Sequence, residues 1–167
     1  MRTRNKGPEA NSRNVALLGI LSALALALSY AESFLVPVLP MGVKPGLSNI
    51  AVMLASAALG LPAGLAIALV KAVFAGVTRG LMAMMLSGAG GLLSALLVGL
   101  LLKSRRVSET GAGILGGVTH NLAQLAIAAM LTRTPGILWA APPLIVFGVA
   151  AGAVTGTLAK WIGRYMR

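Results

Sequence analysis

The segment VALLGILSALALALSYAESFLV, residues 15–36, runs for 22 residues with a single charged side chain, Glu32. As an α-helix it extends about 33 Å at 1.5 Å per residue, enough to cross the roughly 30 Å hydrocarbon core of a bilayer. The rest of the chain repeats the pattern. Of 167 residues, 57% are hydrophobic and only 10% charged, and the mean hydropathy is +0.90, well outside the soluble globular range. The sequence therefore reads as an all-α membrane protein of six transmembrane helices.

The spans fall at about 15–36, 47–60, 63–80, 82–102, 111–131 and 141–162. Residues 1–14, polar and basic with Gly7-Pro8, read as a short cytoplasmic tail ahead of a single transmembrane domain, 15–167. A basic start before an apolar core also fits a cleavable signal peptide. Against that, further spans follow at once, and the charge pattern works only if the first helix is kept. The second span is short: about 14 residues reach only about 21 Å.

Loop charges give the orientation. With the N-terminus inside, Arg2, Arg4, Lys6, Arg13, Lys103, Arg105, Arg106, Lys160, Arg164 and Arg167 lie on the inner side, against Lys44, Arg79 and Arg133 outside. Both termini are then cytoplasmic, in a bacterial plasma or inner membrane. The net charge of +11 belongs to this pattern and not to nucleic acid, since aromatics are only 4% and the basic residues sit at segment ends. Cysteine is absent and there is one histidine, so thiolate and multi-histidine metal sites are excluded. The sequence points to no cofactor.

Ionisable groups inside a bilayer are costly and mark cavities, partners or pathways. Glu32 lies in the outer third of the first helix, Lys71 in mid-span of the third, Arg79 near its outer end, and His120 on the fifth beside Asn121 and Gln124. Lys71 and Thr78, seven apart, share a helix face. In MGVKPGLSNIAVMLA, residues 41–55, Pro45-Gly46 breaks the chain and Ser48 reads as the N-cap of the second helix. Its positive N-terminus beside Lys44 and Asn49 suits an anion or a polar headgroup. Lys44 serves either a ligand or the lipid-water interface, and Lys71 either a ligand or a structural ion pair with Glu32. The basic excess of this set favours an anionic ligand. Three ladders of small residues also stand out: Gly19, Ala23, Ala27, Ala31; Ser87, Gly91, Ala95, Gly99; and Gly148, Gly152, Gly156. Each makes a smooth face on which another helix can approach closely.

The stretches GVKPGLSNIAVMLA, LSGAGGLLSALLVGLL and GGVTHNLAQLAIA, with the Lys-bearing third helix between the first two, resemble the Gx transporter family, whose members are often named heptaprenyl diphosphate synthase component I. That family is grouped with the substrate-binding S components of energy-coupling-factor (ECF) transporters. The resemblance implies an S-component-like bundle and a small or lipid-like substrate held by Lys44 to Asn49, Arg79 and the His120, Asn121, Gln124 face. It also implies docking of a small-residue face, Ala23, Ala27 and Ala31, on a membrane coupling subunit. Transport of this kind would need an ATPase module supplied in trans, since the chain has no phosphate-binding loop of its own. The synthase name conflicts with the residues: Mg²⁺-assisted ionisation of an allylic diphosphate needs clustered carboxylates, and the chain has no aspartate and only Glu9, Glu32 and Glu109. The sequence thus reads as a non-enzyme. Two other readings stay open: a non-catalytic subunit serving prenyl diphosphate or quinone metabolism, and a self-sufficient dimeric transporter.

Overall fold

The computed structural model describes residues 8–35 and 46–165. These form six α-helices: α1 Pro8–Leu35, α2 Ser48–Leu59, α3 Leu61–Arg79, α4 Leu81–Ser104, α5 Glu109–Thr132 and α6 Ala141–Tyr165, with a 3₁₀ turn at Pro135–Ala140 before the last. Five membrane-length apolar segments result, and α2 is the short exception. Helix α1 is described from Pro8, so residues 8–14 are helical and continuous with the first span.

Single glycines join α2 to α3 and α3 to α4. Gly60 (φ 95°) and Gly80 (φ 90°) take left-handed backbone that side chains rarely adopt, and both reverse the chain within one residue. Close approaches then define antiparallel neighbours. A Cβ on Gly91 would lie 3.7 Å from the Ala68 Cβ, and one on Gly99 would strike Leu61, so α4 runs back along α3. Val98 and Ser94 lie over Gly116 of α5, and Gly113 and Gly117 meet Gly148, Gly152 and Gly156 of α6 backbone to backbone.

Helix α2 lies at the centre. It is only about 18 Å long, and Ile50 to Ser56 are buried without interruption, as expected of a helix apolar on all sides. It packs on α1, α2's hairpin partner α3, α4 and α6. Around it the core is built from Leu21 and Ala25 of α1, Ile67 and Ala68 of α3, Ala95 and Val98 of α4, Ala112 and Ala159. The outer surface is apolar: Val77 is 83% exposed and Met130 73%, with Leu93, Leu100 and Val146 among many others. Charged Glu32 and Lys71 are inside. Such an inverted distribution suits lipid and not water, where apolar patches of this extent drive association. Trp139 before α6 and Trp161 near its end are both exposed, about 20 helical residues or 30 Å apart, the spacing of two interfacial aromatic belts.

Candidate functional site

The polar centre is assembled where α1 ends and α2 begins. Ser48 is the first residue of α2, not its N-cap; Leu47 holds that position and makes no side-chain cap bond. Glu32 of α1 supplies the missing acceptor. The Ser48 N–H donates to Glu32 Oε1 (3.0 Å) and the Ser48 hydroxyl to Glu32 Oε2 (3.1 Å). A helix N-terminus stabilises a carboxylate through its free N–H groups and dipole, so the anion that this terminus invites is an internal one, 16 residues upstream.

Lys71 of α3 completes the cluster. Its Nζ donates to Ser48 Oγ (3.0 Å) and to Asn49 Oδ1 (2.7 Å), and Ser48 thereby bridges the ammonium and the carboxylate. Both charged residues are 3% exposed. Asn49 can approach because Gly46 (φ 75°) turns the chain in left-handed backbone just ahead of it.

His120 of α5 is buried at the back of this cluster, and Gln124 lies one turn along. Gly90 of α4 leaves them room: a Cβ there would meet Gln124 Cγ at 2.8 Å and His120 Nδ1 at 2.9 Å. Two narrow cavities meet at Gly46 and His120. One, about 10 Å³, is edged by Ser29, Glu32, Ser48, Lys71, Ser87 and Gln124. The other, about 30 Å³, runs between α2, α4, α5 and α6 past Asn49, Ser94, Asn121 and Thr155. These volumes hold a water molecule or two, far below the 300–1,000 Å³ of ordinary small-molecule sites. A larger guest requires the cluster to open.

Of the residues that the sequence singles out, Glu32, Asn49 and Lys71 are thus hydrogen-bonded together, with His120 and Gln124 beside them. Asn121 serves the scaffold, its side-chain amide donating to the Leu144 carbonyl of α6 at 2.9 Å. Arg79 lies two turns beyond Lys71, half-buried in the last turn of α3, and lines neither cavity. Thr78 is exposed and donates to Phe74 O of its own helix, so it does not extend the Lys71 face. Lys44 lies outside the described residues. Ala23, Ala27 and Ala31 are all exposed, together with Gly19. Sequence reading missed Ser29 and Ser87, both buried against the cluster. Ser29 was detectable as the residue one turn before Glu32 on the face of Leu21 and Ala25; Ser87 stands at the head of a ladder that reads as packing alone.

Membrane-length apolar helices around a buried charged cluster define a polytopic membrane protein. Within that class, the chain belongs to the heptaprenyl diphosphate synthase component I family, whose model matches residues 21–162. No curated protein and no solved structure matches it.

Proposed function

We propose that this chain is a substrate-binding subunit of a membrane transport assembly, of ECF S-component type, with six spans and both termini in the cytoplasm. It takes up a small amphiphilic or anionic molecule from the outer side, and a coupling subunit and an ATPase supplied in trans drive release inward. The observation that carries this reading is the two-sidedness of α1. One face, Leu21, Ala25, Ser29 and Glu32, is buried and reaches the polar cluster, while the opposite face, Gly19, Ala23, Ala27 and Ala31, is bare. In lipid, a smooth face of small residues is what lets a second backbone approach closely.

The cluster itself answers Lys71 with Glu32, so the charge argument for an anionic substrate rests on Lys44 and Arg79. The ten-to-three distribution of basic residues supports the orientation. Catalysis of prenyl transfer has little support from the residues present: aspartate is absent and the three glutamates stand apart at positions 9, 32 and 109. Among the described residues no three His, Asp or Glu side chains gather to hold a metal ion, so the donor set does not fit Mg²⁺-diphosphate chemistry.

The test is co-expression with a coupling module, followed by pull-down and uptake measurement. Ala27→Trp should abolish co-purification while the protein stays monodisperse. If the wild-type chain never co-purifies with such a module and drives no uptake with it, the reading is lost. The family's name favours a second reading, a non-catalytic membrane subunit serving prenyl diphosphate or quinone metabolism. Lys71→Met separates the two: loss of ligand binding in a monodisperse protein supports transport, and loss of complex assembly with ligand binding intact supports the second.

A further inference from the structure

At the end of the bundle opposite the Glu32 cluster, where α4 ends and α5 begins, a surface groove of about 630 Å³ opens between α2, α4, α5 and α6. Of the three cavities described, it alone has the volume of a ligand site. Ala57, Leu102 and Val107 are apolar elements of its lining, and Arg105, Lys160 and Glu109 are its charged ones. Arg105 closes α4 in left-handed backbone (φ 54°), which carries its exposed side chain off the helix axis. Arg105 is exposed and Lys160 half-buried at the edge of this groove. Trp161, 63% exposed on the turn of α6 that follows Lys160, places this rim at the level of lipid headgroups, where indole rings concentrate.

We propose that this groove binds the headgroup of an anionic phospholipid. Arg105 and Lys160 take the phosphodiester, and the apolar lining receives the adjoining glycerol and first acyl carbons. Two cations and one carboxylate leave a single net positive charge, which fits a singly charged phosphodiester better than a free phosphate dianion. The site is independent of any transported substrate: it lies at the other end of the molecule from Glu32 and Lys71. Its use is to fix the chain's depth and to brace the α4–α5 turn against α6.

Native mass spectrometry in mixed micelles tests it, with phosphatidylglycerol, phosphatidylcholine and inorganic phosphate as separate probes. The wild-type chain should retain phosphatidylglycerol through delipidation and not phosphatidylcholine. The pair Arg105→Gln with Lys160→Gln should weaken retention by about 30-fold, equivalent to about 1 kcal/mol for each of two cations near a bilayer surface. A control pair with the same charge loss, Lys103→Gln with Arg164→Gln, should retain the lipid. Ala57→Phe, which keeps every charge and fills the lining, should lose it, so the test survives poor folding of the double variant. Equal retention in the groove and control pairs overturns the proposal. So does binding of inorganic phosphate as strong as that of phosphatidylglycerol.

Discussion

Replacing Glu32 by Gln and Lys71 by Met, singly and together, tests whether the buried cluster is one electrostatic unit. The links from Lys71 Nζ to Ser48 Oγ (3.0 Å) and from Ser48 Oγ to Glu32 Oε2 (3.1 Å) keep the two charges within about 6 Å. At an effective dielectric of about 20, unit charges at that separation attract by about 3 kcal/mol. Each single replacement leaves one buried charge uncompensated and should cost about 3–5 kcal/mol. The double replacement removes both charges, so it should cost about 3 kcal/mol less than the two single losses combined. The assay is equilibrium unfolding by SDS in mixed micelles, followed through Trp139 and Trp161. Additivity to within about 0.5 kcal/mol, the behaviour of independent sites, would refute the coupling. A double variant less stable than the sum would show that Ser48 and Asn49, not the charges, hold the site together.

Four further outcomes follow from packing. Gly152→Ala would drive a Cβ into the Gly113 carbonyl and to 2.7 Å from Ile114 Cα, backbone that cannot rotate away, and should lower stability by about 1–3 kcal/mol. Gly163→Ala in the same helix meets nothing within 4 Å and should be neutral or, through helix propensity, stabilising by up to about 1 kcal/mol; thermal unfolding in one detergent compares the two. Gly64→Ala collides with the Ser56 hydroxyl, itself buried with no hydrogen-bond partner among the described residues. It should destabilise strongly alone and recover part of the loss when combined with Ser56→Ala, whose own removal leaves no acceptor or donor stranded. Gly90→Ala crowds His120 and Gln124 and should impair ligand retention more than it lowers the unfolding temperature.

Helix positions were largely legible because each apolar run is closed by glycine, proline or a basic group: Gly60-Leu61-Pro62, Arg79-Gly80, and Lys103 to Arg106. What the runs cannot carry is depth within the bundle. Helix α2 reads as a short span among longer ones, yet its shortness reflects its place at the centre, where neighbours and not lipid surround Ile50 to Ser56. The charged cluster was half legible. Intramembrane Glu32 and Lys71 announce themselves by cost, whereas Ser29 and Ser87 are inexpensive in any helix and gain meaning only from what they face. The capping of α2 was misread for the same reason. Local sequence offers Ser48 as its own cap, but the acceptor comes from another helix, and no window of a few residues contains it.

The three small-residue ladders show why such a pattern does not fix its own use. On α6, Gly148, Gly152 and Gly156 are consumed by α5, with backbones so close that no Cβ fits. On α4, Ser87, Gly91, Ala95 and Gly99 turn inward and are buried. On α1 the same spacing points away from the bundle, because Leu21, Ala25, Ser29 and Glu32 have already committed the opposite face to the core. Glu32 decides this rotation: its carboxylate must reach the N-terminus of α2, and a turn of α1 that buried Ala23 and Ala27 would carry that charge into lipid at a cost of several kcal/mol. The bare ladder on α1 is therefore a consequence of where the buried charge must point. A partner that closes on α1 meets a face held in register by the same residue that organises the polar cluster. On the proposed transport reading, ligand-dependent movement of Glu32 would be the shortest mechanical route from the cluster to that face. Spin labels at Ala23 and at Val70, exposed on α1 and α3, would register it as a change in their separation, and an unchanged distance on ligand binding would exclude it.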